Sequence, residues 1–77
     1  MRGDCFTEIS FGLPKNAKVI LTVYNILGQE VAVLVDGDLN AGHHTVNWNG
    51  ENATSGVYFY RIEANEFTAT RRMVLMK

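Results

Sequence analysis

The stretch KVILTVYNILGQEVAVLV, residues 18–35, holds two apolar runs on either side of one turn. Val19, Leu21 and Val23 alternate with Ile20, Thr22 and Tyr24, the period of two that marks a β-strand. The run is apolar on both faces near its start, which predicts a central strand. Asn25 at the first position of the turn and Gly28 at the fourth suit a type I turn followed by a left-handed glycine. Val31, Val33 and Val35 form the return strand on one face, with Leu34 on the other. This hairpin sets the fold class.

The same period recurs on both sides of it. Upstream, Ile9, Phe11 and Leu13 alternate with Glu8, Ser10 and Gly12; Pro14 ends that strand, and Pro14-Lys15-Asn16-Ala17 reads as a turn. Downstream, Asp36-Gly37-Asp38 reads as the opening of a polar loop that runs to Ala41-Gly42. A strand follows over residues 44–48, with His44, Val46 and Trp48 on one face. Residues 49–56 are rich in turn formers. Residues 57–62 form the next strand: Tyr58, Tyr60 and Ile62 share one face, Val57, Phe59 and Arg61 the other. Ala64-Asn65-Glu66 makes a short hairpin turn, and residues 67–76 are the last strand. No stretch carries a capped helical stripe. Strands about every ten residues, separated by turn signals, predict an all-β sandwich or barrel.

The 77 residues suffice for one domain. With 47% apolar and 19% charged residues, the composition is that of a folding chain and not a disordered tail. Seven basic and eight acidic residues leave a net charge of -1, so there is no broad field for nucleic acid or for cationic partners. Cys5 is the single cysteine, which forbids an internal disulfide; it reads as a small near-terminal residue. No apolar run approaches the roughly 18 residues that span a bilayer. Met1-Arg2-Gly3-Asp4 is not followed by an apolar signal segment, so an export signal is expected upstream on a longer polypeptide.

Chemistry is sparse. His43 and His44 are adjacent, so on a strand they point to opposite faces and cannot share a metal. Asp36 and Asp38 flank a glycine, but a calcium cage needs about six or more oxygens, and a plain loop is expected. Ser10, Ser55 and Cys5 are nucleophiles by type only, outside any recognisable elbow. The carboxylates are scattered, and a small sandwich offers little cleft to hold a paired acid and base. No enzymatic activity and no cofactor are expected. Arg2-Gly3-Asp4 matches an integrin-binding tripeptide and Asn52-Ala53-Thr54 a glycosylation acceptor, both matches short enough to arise by chance. Trp48, Tyr58 and Tyr60 could stack a sugar only if exposed; they are expected to fill the core.

The segments "VYNILGQEVAVLV", "AGHHTVNWNG", "SGVYFYRIEA" and "RRMVLMK", in this order, resemble the C-terminal sorting domain of cargo proteins of the type IX secretion system. The match covers residues 9–77, and the order and spacing of the pieces carry it. The Ig-like domain of the flagellar hook-capping protein shares the pattern more loosely. The signature positions here are Asn25, Gly28, Gly42, Trp48, Gly50, Gly56 and Tyr58. Two departures stand out: the loop between Gly50 and Ser55 is short, and the Asn-Pro-rich N-terminal segment of relatives is replaced by Arg2-Gly3-Asp4-Cys5-Phe6.

The resemblance implies an Ig-like antiparallel β-sandwich of about six to seven strands. Residues 1–8 would be linker and the start of the first strand, and residues 9–77 the sorting domain of a larger secreted protein. Such a domain follows upstream cargo domains and is recognised by the outer-membrane translocation machinery. A sortase-like peptidase commonly removes it afterwards, leaving cargo at the cell surface or outside the cell after transit through the periplasm. The family's terminal motif, basic then apolar then Lys, maps onto Arg72, Met73, Val74, Leu75, Met76 and Lys77, with Arg71 adjoining. Recognition would be protein–protein contact, by strand addition at an open edge; an open edge is also a route to a homodimer. The sorting reading needs Lys77 at the native C-terminus. Competing expectations are a structural Ig-like accessory module of an extracellular enzyme, a hook-capping-type scaffold, or a carbohydrate-binding module.

Overall fold

Val19, Leu21 and Val23 have no exposed surface, and the strand that carries them lies inside a sheet, as its two apolar faces require. The computed structural model describes residues 6–50, 53–65 and 67–75. Among them run six strands: β1 (Phe6–Leu13), β2 (Ala17–Asn25), β3 (Glu30–Leu39), β4 (Gly42–Asn49), β5 (Gly56–Ala64) and β6 (Phe67–Leu75). All pairings are antiparallel. One sheet has the order β3-β2-β5-β6, and β1 pairs with β4 in the other. The two sheets make an all-β sandwich of the Ig-like kind.

Three apolar clusters run along the sandwich. At one end Leu13 of β1 packs with Val19 and Ala64. In the middle Ile9 packs with Leu21 and Ile62. At the far end Trp48 of β4 packs with Val23, Tyr58 and Leu75. Each cluster takes one residue from the small sheet and two or three from the large one, so the period-two faces of the sequence become the inner faces of the layers. Each such fully buried aliphatic side chain contributes about 1.5–3 kcal/mol. At the Leu13 end, Ala41 N–H donates to Asn16 Oδ1 at 2.7 Å, which ties the β3–β4 corner to the β1–β2 turn.

Two expectations from the sequence give way. Residues 36–39 are not loop but the end of β3, paired with residues 17–20 of β2. Leu39 packs on the Leu13 cluster and residues 36–39 pair in register with β2, so burial and strand pairing override the turn-like Asp-Gly-Asp. Nor do Val31, Val33 and Val35 share a face. The register slips twice, between Leu21/Thr22 and between Val23/Tyr24, leaving Leu34 and Val31 as extra residues on β3. These bulges turn Leu34 and Val35 together toward the core and leave Val31 and Val33 exposed.

Candidate recognition surface

β6 is an edge strand of the larger sheet, so one side of its backbone is unpaired within the sheet. Its alternation places Met73 and Leu75 on the core side, against Tyr58 and Trp48, with Leu75 only 3% exposed. Val74 points the other way, 53% exposed and opposite Val57. Arg72 is exposed on that same outer side, opposite Phe59. Arg71 lies on the core side opposite Tyr60 in the register and is exposed. It lines a trough of about 210 Å³ between β1 and β6, together with Phe11, Gly12, Phe67 and Ala69. The basic–apolar ending is therefore split by the pleat: Arg72 and Val74 face outward, while Arg71, Met73 and Leu75 face the sandwich. Met76 and Lys77 lie outside the described residues.

Apart from Gly42, which sits at the Leu13 end, the other signature residues build the end of the sandwich where β6 finishes. The Trp48 and Tyr58 rings meet edge-on with centroids 5.1 Å apart. The Tyr58 hydroxyl donates to Thr54 O at 2.7 Å, which fastens the β4–β5 connection, and Ala53 N–H donates to Gly50 O at 2.9 Å. Gly56 opens β5 at φ +149°, opposite Leu75, and Gly42 opens β4 opposite Leu13. Asn25 builds the β2–β3 turn: its Oδ1 accepts from Leu27 N–H at 2.9 Å and from Gln29 N–H at 3.0 Å, while its Nδ2 donates to Gln29 Oε1 at 2.8 Å. Gly28 follows at φ +82°, the left-handed value expected from the sequence.

That turn holds what the sequence reading passed over. Ile26 and Leu27 are 71% and 78% exposed. The signal was two large aliphatics in turn positions that polar residues usually fill. They form one wall of a groove of about 320 Å³ whose other wall includes Thr54, Ser55 and Val57.

The residues weighed for chemistry stand apart. His43 is exposed and His44 half-buried, on opposite faces of β4; the His44 ring lies 5.6 Å from Phe11. Ser10 Oγ is 3.3 Å from Thr45 Oγ1 on the neighbouring strand. Among the described residues no three His, Cys, Asp or Glu side chains are grouped to hold a metal ion. Asp36 and Asp38 sit on a strand. Trp48 and Tyr58 are buried and Tyr60 is half-buried, so these aromatics offer no open platform for a sugar. Arg2-Gly3-Asp4, Cys5 and Asn52 lie outside the described residues.

No curated protein and no solved structure matches the chain. The family model of the secretion system C-terminal sorting domain matches residues 4–76, nearly its whole length. The antiparallel sandwich with β6 at the edge of its larger sheet thus belongs to a known kind of module: the chain is a member of the secretion system C-terminal sorting domain family, the sorting signals of type IX secretion.

Proposed function

We propose that this domain is a non-catalytic address, read in its folded state by an outer-membrane component of the type IX machinery through the end of β6. One observation carries this: the last strand is both anchored and open. Leu75 and Met73 lock it into the core, while Arg72, Val74 and the free edge stay accessible. A partner strand laid along that edge gains main-chain hydrogen bonds, and Arg72 and Val74 supply charge and shape for specificity. In this reading the cargo passes through the periplasm and then reaches the surface, where a sortase-like peptidase removes the domain.

The geometry also dictates the test. Deleting residues 72–77 would take Met73 and Leu75 from the core, so lost export would report unfolding. Substituting the outward residues, Arg72→Ser with Val74→Thr, leaves the core intact. A periplasmic reporter fused to the domain, in a host with the type IX machinery, should then lose export while the domain still folds. Undiminished export would refute recognition through the end of β6.

A further inference from the structure

Ile26 and Leu27, the most exposed large aliphatics among the described residues, sit on a turn with a dense set of hydrogen bonds. Beside the three contacts of the Asn25 side chain, Asn25 N–H donates to Gln29 O at 3.0 Å and Gly28 N–H to Asn25 O at 2.9 Å. Ile26 and Leu27 are therefore presented on a turn braced by five hydrogen bonds, and docking them costs little ordering entropy. Exposed aliphatics of this kind work against solubility and point to a contact surface.

Their place in the fold says which contact. The register aligns Asn25 with Tyr58 and Tyr58 with Met73. Beyond that row lie, side by side, the Ile26–Leu27 tip, Val57 and Val74, all at the end of the large sheet where β6 finishes. The turn residues on either side of the tip, Asn25 and Gln29, are neutral, and Glu30 beyond them is acidic. Arg61 lines a neighbouring groove with Ile26 and lies 3.9 Å from Glu63, and Arg72 is exposed on the same outer face as Val74. An apolar tip whose surroundings mix acidic Glu30 with Arg72 and an Arg61 paired to Glu63 suits an apolar protein pocket with a polar rim, whereas an anionic lipid surface would call for a cluster of unpaired basic residues.

We infer that the Ile26–Leu27 tip is a second contact point, seated in an apolar pocket of the same export-machinery protein that reads the end of β6. This rests on the function proposed above. The partner thereby reads two chain segments that only the folded sandwich brings together, and a linear C-terminal peptide would lack half of the surface.

The test is export of the full reporter fusion carrying I26S/L27S, with I26L/L27M to keep the tip apolar and V33S as an exposed apolar control on β3. The expected result is a fall in export of about tenfold or more for I26S/L27S, the scale of losing a hot-spot contact, with export kept by the other two. If the serine pair lowers the melting midpoint, L27K, at a side chain 78% exposed, takes its place and is read in the same way. Normal export of I26S/L27S beside failed export of R72S/V74T would overturn the second contact and leave the function standing. Normal export of both would remove the function as well. Sedimentation with phosphatidylcholine–phosphatidylglycerol vesicles that the serine pair abolishes would overturn the protein pocket in favour of lipid.

Discussion

Replacing Leu75 by Ala separates the structural half of β6 from its exposed half. Leu75 is 3% exposed and packs with Val23, Trp48 and Tyr58. A buried Leu→Ala change costs about 2–5 kcal/mol, through lost transfer energy and the cavity left behind. Leu75 closes the last described strand, where neighbours can collapse inward, so the lower half of that range applies, about 2–3 kcal/mol. Against a total of roughly 4–12 kcal/mol for a chain of this size, that is a large share. In a domain this small each kcal/mol moves the melting midpoint by about 4–8 °C, so a drop of about 10–20 °C is expected. Val74→Thr, on the 53% exposed neighbour, keeps the β-branched shape and should stay within about 4 °C. Circular dichroism melts of the 77-residue chain measure both. A shift below about 4 °C for Leu75→Ala, or equal shifts for the two, would refute the inward and outward assignment of β6.

Two further substitutions probe the supports of this end of the sandwich. Tyr58→Phe keeps the ring against Trp48 but removes the hydroxyl donated to Thr54 O, and should cost about 1 kcal/mol in a urea titration with unchanged slope; no change would mean that the hydroxyl does not hold the β4–β5 connection. Gly28→Ala forces a side chain into φ +82° with open space around it, a purely backbone cost of about 1–2 kcal/mol, whereas Gly37→Ala, in equally open space and without a positive φ, should not destabilise; equal thermal shifts for the two would refute the turn geometry.

The strands were legible where the pattern is local and regular. β5 alternates between core and outer face, β2 sets Val19, Leu21 and Val23 on the core although Thr22 between them is also buried, and Asn25 and Gly28 state their turn in four residues. β3 was not, because a bulge leaves no mark in a run of valines: Val31, Ala32, Val33, Leu34 and Val35 read alike on either face, and only pairing with β2 sorts them. Asp36-Gly37-Asp38 misled for the opposite reason, since its composition is that of a turn while Leu39 beyond it is held by the core. The surface was legible in part. That β6 ends basic then apolar is plain from the sequence. The exposure of Arg71 on the sandwich side shows only once the sheets are packed, and the nearness of Ile26 and Leu27 to Val57 and Val74 depends on register between strands far apart in the chain.

The central claim is that the folded domain is read through the outward residues at the end of β6. Surface display of a reporter fused to R72S/V74T, beside a melt of the same variant, tests it most directly. The expected result is display reduced about tenfold or more with the midpoint within a few degrees of the unsubstituted domain. Full display by a variant that folds normally would contradict it.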